Sequence, residues 1–246
     1  MLDKPCGPTS FWVVRQVRRL LAIKKVGHAG TLDPFASGLL IVCAGRAATR
    51  AIDTLMAGEK EYLATLCLGV STSTGDPEGE VTRRQRVRPF SNDELAAVLG
   101  RFRGEYWQTP PAYSALKHQG KPLYAYARKG IVINKPPRRV FISSLTCEAL
   151  TFTSDGLAAL TIRVRCGKGT YIRKLAEDIG EALGCGAHLT VLRRTMSGPF
   201  TVERAVSADW LRREDGFRHL ASSRLSESEL AALLQEKTLP ATVMEF

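Results

Sequence analysis

Apolar residues recur along this chain with two periods, and each period predicts one type of element. In residues 11–25 they return every three or four positions after Thr9 and Ser10, which are common N-cap residues, and arginines occupy another face. This pattern predicts an amphipathic helix with a basic exposed side. Residues 61–70 and 157–166 are rich in β-forming residues, and the second stretch ends in the apolar and polar alternation of a half-buried strand.

Capping residues and glycines place further element boundaries. Ser91 followed by Glu94 forms a capping box and predicts a second helix. Thr170 is the predicted N-cap of a helix over residues 171–183, and Gly184 is the predicted stop. Strands and helices are interleaved without a regular βαβ repeat. The sequence therefore predicts an α+β fold rather than a doubly wound parallel sheet.

Composition narrows the class of protein. The chain has 246 residues, of which 44% are hydrophobic and 24% charged, and this excludes a disordered or fibrous protein. Its start lacks an apolar signal segment and its apolar runs are far shorter than a membrane span, so we expect a cytoplasmic protein without a membrane partner. Six scattered cysteines show no CxxC spacing, so we expect reduced core thiols and no metal site.

The net charge of +11 is unevenly placed. Residues 1–206 carry a net charge of +13 and residues 207–246 a net charge of −2. The excess falls in four clusters, within residues 15–25, 83–88, 135–139 and 163–174. Any single cluster is explained well enough as solvated surface charge. The four together favour a nucleic acid as partner, because Lys and Arg neutralise phosphates.

Residues 26–50 hold the most unusual combination of residue types. Three glycines, His28 and an Asp-Pro turn at Asp33 precede an apolar run. An Asp before Pro is commonly a turn residue whose oxygen accepts backbone N–H bonds. The alternative is a functional carboxylate, since Gly27 and Gly30 permit close backbone approach and the basic clusters attract phosphates.

Five blocks of the chain resemble the TruB-type tRNA pseudouridine synthases, in the order and with intervals similar to those of that family. They are DKPCGPTS at 3–10, GHAGTLDPFASGLL at 27–40, EKEYLATLCLG at 59–69, TPPAYSALKHQGKPLYAYARKG at 109–130 and CGKGTYIRKLAEDIGEALGCGAHLTVLRR at 166–194. The resemblance implies the pseudouridine synthase catalytic fold, a mixed, largely antiparallel sheet flanked by helices, over residues 1–206. We expect residues 207–246 to form a short C-terminal element without a full PUA domain.

The resemblance also implies a set of catalytic residues. Asp33 matches the essential nucleophile of the family, and Arg173 matches the arginine that pairs with it. An arginine suits this role because its two parallel hydrogen bonds orient a carboxylate and favour its ionised form. Tyr62 matches the tyrosine that stacks on the uracil and is proposed to assist proton removal.

Three further residues match substrate contacts of the family. His28 matches a histidine that helps to hold the substrate loop with its target base flipped out. Tyr171 matches a substrate-contacting tyrosine, and Leu192 an apolar residue that lines the uracil pocket. Three of the matched residues also have an ordinary structural explanation: Tyr62 packs its ring into the core, Leu192 is an ordinary core residue, and Arg173 forms a surface ion pair on a helix. The shared order of the blocks favours the functional interpretation.

The implied activity is isomerisation of the T-loop uridine of tRNA, position 55 in standard numbering. This reaction has no net redox change, so we expect no cofactor. The sequence leaves open whether Asp33 attacks the sugar, attacks the base or removes a sugar proton towards a glycal. We expect a monomer that binds the T-arm without an obligatory protein partner. Two alternatives are a non-catalytic tRNA-binding or tRNA-folding module and the catalytic subunit of a guide-RNA-dependent complex.

Overall fold

A computed structural model gives the fold of the chain and describes residues 1–222 and 224–235. The chain divides into two compact units. The first consists of Met1–Lys60 and the chain from Arg193 onward, and the second is Glu61–Leu192. The division at residue 206 into a catalytic domain and a short C-terminal element stays a prediction.

Helices and strands alternate irregularly along the described residues. The helices are α1 (Ser10–Leu21), α2 (Arg46–Arg50), α3 (Ile52–Ala57), α4 (Asn92–Gly100), α5 (Leu123–Ala127), α6 (Ile172–Ala182), α7 (Gly216–Ser222) and α8 (Glu227–Gln235). Short 3-10 turns cover Val202–Arg204 and Ala208–Arg212. The strands are β1 (Leu2–Lys4), β2 (Val26–His28), β3 (Ser37–Leu40), β4 (Val42–Ala44), β5 (Lys60–Leu68), β6 (Val70–Thr72), β7 (Val81–Arg84), β8 (Gly104–Gln108), β9 (Lys117–His118), β10 (Lys121–Pro122), β11 (Arg138–Phe152), β12 (Ala158–Cys166), β13 (Ala187–Ser197), β14 (Phe200–Thr201) and β15 (Val206–Ser207).

The first unit is built around a mixed sheet in the order β15, β1, β3, β13, and β14 pairs with the end of β13. β1 runs antiparallel to β3 and parallel to β15, while β3 runs parallel to the end of β13. Helix α1 covers this sheet, because its buried residues Val13, Val14 and Val17 pack with Leu2 and Leu40. β2 and β4 form a separate antiparallel pair.

The second unit carries a sheet in the order β13, β5, β12, β11, β8, to which β13 contributes its residues before Arg193. β11 is antiparallel to both β12 and β8. Every second residue of β12, from Ala158 to Cys166, is buried, which gives this strand one core face. Helix α6 buries an apolar face that includes Leu175 and Ile179.

The predicted α+β fold with a mixed, largely antiparallel sheet is confirmed, and so are most of the predicted boundaries. The Thr9 hydroxyl accepts the Trp12 N–H at 3.0 Å at the start of α1, and the Ser91 hydroxyl accepts the Glu94 N–H at 3.1 Å at the start of α4. Gly184 ends α6 in the left-handed region at φ +75°. The predicted cap at Thr170 is wrong, because its hydroxyl donates to the Gly167 carbonyl instead.

The structure confirms two further expectations in part. Cys43, Cys166 and Cys185 are buried free thiols, as predicted for core residues, whereas Cys6 and Cys147 are exposed. The apolar spacing of residues 227–237 (ESELAALLQEK) predicts a helix near the C-terminus, and α8 confirms it up to Gln235, whereas residues 236 and 237 lie outside the described residues. Within the described ranges, no helix is long and apolar enough to cross a membrane.

Candidate active site

Asp33 lies in the loop of residues 29–36 between β2 and β3, which we call the Asp33 loop. The Ala36 N–H donates to the Asp33 carbonyl at 3.1 Å, so the predicted Asp-Pro turn is confirmed. Asp33 itself is half-buried. A turn alone would leave this loop mobile, and the surrounding contacts decide how firmly the carboxylate is placed.

A fully buried lysine holds the Asp33 loop against the preceding loop. The Lys4 ammonium donates to the carbonyls of Pro5 at 2.8 Å, Pro8 at 2.8 Å and Pro34 at 3.2 Å. The Gly7 N–H donates to the same Pro34 carbonyl at 2.8 Å. A buried cation is stable only with such partners, so Lys4 fixes the residue that follows Asp33.

A buried serine fixes the residue on the other side of Asp33. The Leu32 N–H donates to the Ser10 hydroxyl at 2.8 Å, and that hydroxyl donates to the Leu32 carbonyl at 3.0 Å. Ser10 is the first residue of α1, whose core face anchors it to the sheet of the first unit. Both neighbours of Asp33 are therefore tied to rigid elements.

A buried arginine supports the first half of the same loop. The Arg194 guanidinium donates to the carbonyls of Leu39 at 2.7 Å, Gly30 at 3.1 Å and Thr31 at 3.5 Å. Gly38 permits the close backbone approach of β3 to β13 at Arg194, because its φ is +103° and a Cβ there would stand 2.3 Å from the Arg194 carbonyl oxygen. Arg194 is 1% exposed, so it is a structural part of the loop and not a surface charge.

His28 ends β2 directly before the Asp33 loop. Burial, and then the positive charge of Arg194, lower the pKa of its imidazole, which is therefore neutral near pH 7. Its Nδ1 atom is buried and has no hydrogen-bond partner in residues 1–222 and 224–235. The imidazole is thus a neutral ring beside the loop of the predicted nucleophile.

The second unit contains the other four predicted residues. Arg173, in the first turn of α6, is 5% exposed. Its guanidinium donates to the carbonyls of Thr74 at 2.9 Å and Tyr113 at 2.7 Å, and lies 3.4 Å from the Asp76 carboxylate. This arginine is therefore a buried, oriented group and not the surface ion pair that a helical arginine usually makes. Its pairing with Asp33 stays a prediction.

Asp76 is an acidic partner of Arg173 that the sequence analysis missed. It is 4% exposed and accepts hydrogen bonds from the Thr74 hydroxyl at 2.5 Å and the Glu78 N–H at 3.0 Å. These bonds fix the carboxylate that faces the guanidinium. The signal in the sequence is slight, because Asp76 stands in a polar turn, where an aspartate is ordinary.

A cavity of about 240 Å³ opens beside Arg173 in the second unit. Thr74 and Tyr113, whose carbonyls hold Arg173, are among its lining residues, and so are Lys174 and Glu177. Burial raises the pKa of the Glu177 carboxyl, and the positive charge of Lys174 acts in the opposite direction. The cavity therefore has a polar wall on the α6 side.

Tyr171 is the N-cap residue of α6, and a buried glutamine supports its backbone. The Gln108 amide accepts the Tyr171 N–H at 2.8 Å and donates to the Tyr171 carbonyl at 3.0 Å. These bonds take the place of the hydroxyl cap predicted at Thr170. The Arg138 guanidinium lies over the Tyr171 ring, 5.1 Å from its centroid, and makes a cation–π contact.

Tyr62 and Leu192 lie on strands of the second unit. Tyr62 is half-buried on β5, and the preceding Glu61 is buried between Arg163 at 3.1 Å and Arg165 at 2.6 Å. Leu192 on β13 is 5% exposed, which equally suits a core residue. The roles of both side chains towards a uracil stay predictions.

Two residues of the basic cluster at 15–25, together with two arginines outside the four clusters, line a cleft in the first unit, which we call the basic cleft. It has a volume of about 700 Å³, and Arg18, Lys25, Arg46 and Arg50 are among its lining residues. None of these four cations forms an ion pair within the described part of the chain. Gly27, the neighbour of His28, also lines it, so the cleft adjoins β2.

The cluster at residues 83–88 is different, because most of its charges are already paired. Arg83 lies 3.5 Å from Glu181, Arg84 lies 2.9 Å from Asp155, and Arg88 pairs with Glu94. Exposed pairs of this kind add little stability, yet they reduce the charge offered to a polyanion. This cluster is best explained as solvated surface, the alternative that the sequence analysis left open.

Comparisons with known proteins agree on one family. Residues 18–172 match the model of the TruB family pseudouridylate synthase N-terminal domain, and residues 173–236 match that of the tRNA pseudouridylate synthase B C-terminal domain. The chain is 53% identical over 235 residues to tRNA pseudouridine synthase B of Desulfotalea psychrophila (strain LSv54 / DSM 12343), covering 96% of each chain. It is also 53% identical over 213 residues to the protein of that name from Burkholderia pseudomallei (strain 668), covering 86% of this chain and 68% of the relative.

The solved structures give a similar result for the fold. A chain in the crystal structure of a Cbf5-Nop10-Gar1 complex superposes with a TM-score of 0.63 and 32% sequence identity. The match covers 89% of this chain and 57% of the solved one, so the chain studied spans little more than half of that relative's length.

Proposed function

The chain belongs to the TruB family of pseudouridylate synthases, and we propose that it isomerises the T-loop uridine of tRNA, position 55, to pseudouridine. Asp33 is the nucleophile in this proposal, and Arg173 pairs with it. Curated relatives named tRNA pseudouridine synthase B, at 53% identity over most of the chain, support the activity and the substrate class.

The reaction exchanges one bond of the sugar for another. The N1–C1′ glycosidic bond breaks, the uracil turns, C5 bonds to C1′, and the proton on C5 is finally lost while N1 gains one. A carboxylate suits this chemistry, because it attacks carbon or stabilises positive charge that develops on the sugar. The target base must leave its stack first, and Tyr62 and Leu192 are the walls that we assign to it.

The way in which the Asp33 loop is held carries this proposal. An ordinary Asp-Pro turn needs no buried cations, yet Lys4 and Arg194 are both almost completely buried and donate to carbonyls of this loop and its flanks. Burying a cation costs free energy even when carbonyls accept its hydrogen bonds, so two buried cations at one loop indicate that the geometry they impose has a function. Fixing a reacting carboxylate is such a use, since catalysis depends on its position.

The basic cleft supports tRNA as the substrate. Its four cations have no acidic partner in the described residues, so they are available to phosphates, and the cleft adjoins His28 next to the Asp33 loop. RNA that binds there is thereby brought to the loop of the nucleophile. His28, as a neutral ring, is suited to contact a base or sugar of the substrate loop.

Tritium release tests this function. A tRNA transcript labelled at C5 of uracil is incubated with the protein, and we expect loss of one label per tRNA, without added guide RNA or cofactor. A transcript with cytidine at position 55 is the matched control and should release none. No release from the uridine transcript contradicts the proposal, and release that needs an added guide RNA favours the guide-dependent alternative.

We also propose that the protein is a cytoplasmic monomer that needs no other protein for activity. The tritium-release assay with the purified chain tests directly whether another protein is needed. Sedimentation velocity at the assay concentration tests whether the chain is a monomer, and a dimer would contradict the proposal.

A further inference from the structure

The edge strand β8 carries an exposed tryptophan, Trp107. Trp107 is 62% exposed, whereas its neighbours Tyr106 and Gln108 point into the protein, and Gln108 is 1% exposed. A single exposed apolar side chain is common on a protein surface, so the side chains that surround Trp107 decide whether it marks a binding site. Strand alternation puts Trp107 on the face opposite Gln108, which supports Tyr171.

A cation and a second aromatic ring accompany Trp107 on this face. Arg139 stands directly opposite it in the β8–β11 pairing, with the guanidinium 5.4 Å from the ring centroid. Phe141, two residues further along β11, is 50% exposed. We call Trp107, Arg139 and Phe141 the aromatic patch.

The charge around the aromatic patch is positive. The Gly167 N–H donates to the Phe141 carbonyl at 2.8 Å, so the turn that carries exposed Lys168 lies beside the patch. Arg165, on β12 just before the same turn, is also exposed, and it pairs with Glu61 at 2.6 Å. The acidic group on the patch itself is Glu105, which lies 3.3 Å from Arg139 in an exposed and therefore weak ion pair.

We infer that the aromatic patch binds an unpaired nucleotide of the substrate tRNA, with its base stacked on Trp107 and its phosphate near Arg139 and Lys168. Proteins that bind single-stranded nucleic acids stack the bases on aromatic rings that lie beside cations. The combination of rings and positive charge therefore favours RNA over an acidic or purely apolar protein partner. The nucleotide is not the reacting one, because Trp107 lies on the other face of the sheet from Gln108 and Tyr171. The choice of tRNA as ligand rests on the proposed function.

Equilibrium binding of an unlabelled tRNA transcript with cytidine at position 55, which the protein cannot isomerise, tests the inference without turnover. Stacking on one aromatic ring changes affinity by roughly tenfold. We expect Trp107→Leu to raise the Kd by about that factor, and Trp107→Phe, which keeps a ring, to stay within about threefold of wild type. Phe152→Leu is the control, because Phe152 is another exposed ring at the far end of β11. It should leave the Kd unchanged.

A rate measurement separates this contact from the catalytic machinery. At saturating protein, the single-turnover rate constant of Trp107→Leu should equal that of wild type, since only binding is affected. An unchanged Kd for Trp107→Leu overturns the inference, and so does an equal loss in Trp107→Leu and Trp107→Phe. If Trp107→Leu instead changes the sedimentation of the chain without changing its Kd for tRNA, the patch is a protein interface and the inference is wrong. Failure of the proposed function is a different result, namely no tritium release by the wild-type protein.

Discussion

Replacing Lys4 with methionine removes a buried ammonium while keeping an unbranched side chain that is only one heavy atom shorter. The ammonium donates to the carbonyls of Pro5, Pro8 and Pro34. The Pro34 carbonyl keeps the Gly7 N–H at 2.8 Å, whereas those of Pro5 and Pro8 lose a charged donor. Each such loss costs about 1–3 kcal/mol.

Two effects reduce that cost. Lys4→Met no longer has to bury a charge, and the half-buried proline carbonyls regain some water. We therefore expect the free energy of unfolding to fall by about 2 kcal/mol. Because the residue after Asp33 is released as well, we expect the single-turnover rate constant to fall at least about tenfold in folded protein.

Urea unfolding and single-turnover tritium release measure the two effects of Lys4→Met. Lys24→Met is the control for stability, because Lys24 is exposed and its replacement should change the free energy of unfolding by less than about 0.5 kcal/mol. If Lys4→Met is as stable as wild type and releases tritium at the same rate, the ammonium does not hold the Asp33 loop.

Three further predictions concern other supports of the site. Gly38→Ala should lower the free energy of unfolding in urea by at least about 2 kcal/mol, because Gly38 has a positive φ and lies close to the Arg194 carbonyl. Gly100→Ala is the control and should change that free energy by less than about 1 kcal/mol, because a Cβ at Gly100 meets nothing. Equal stability of the two variants would contradict this prediction. Asp76→Asn should lower the single-turnover rate constant about tenfold, because the charge facing Arg173 is lost, while the Kd for tRNA should stay within about threefold of wild type. An unchanged rate constant would show that Asp76 does not position Arg173. Because the pKa of His28 is lowered in the folded protein, the unfolded chain binds this proton first as the pH falls below 6.5, and the folded state loses stability. Between pH 7 and pH 5.5, the free energy of unfolding in urea should therefore fall more for wild type than for His28→Gln. Equal decreases in the two proteins would contradict this prediction.

Local signals predicted the elements well because they depend on neighbouring residues. The caps at Thr9 and Ser91 each bind an N–H three residues away, and the Asp33 turn closes within four residues. Thr170 has the residue type of a cap, yet the N–H of Tyr171 at the start of α6 donates to the side chain of Gln108, which lies 63 residues earlier in the chain. Such a contact leaves no mark in the local pattern.

The buried cations were beyond prediction for a related reason. Lysine and arginine are normally exposed, and the acceptors of Lys4 and Arg194 are backbone carbonyls, which every residue has. Pro34 is 30 residues from Lys4, and Gly30 is 164 residues from Arg194. Both cations do lie in blocks that resemble the family, so the resemblance marked them without explaining them.

Charge clustering predicted a polyanion partner but could not show which cluster is available. That depends on acids brought close by the fold, such as Glu181 and Asp155 beside the arginines of residues 83–88. The cations of the basic cleft have no such partner in the described residues. The distinction appears only in three dimensions.

The most direct test of the account compares wild type with Asp33→Asn, which keeps the size of the side chain and removes its charge. The two proteins are given the same C5-tritiated tRNA, and both the Kd and the single-turnover release of tritium are measured. We expect a Kd within about threefold of wild type and no detectable release by Asp33→Asn. Release at the wild-type rate by this variant would contradict the assignment of Asp33 as the nucleophile.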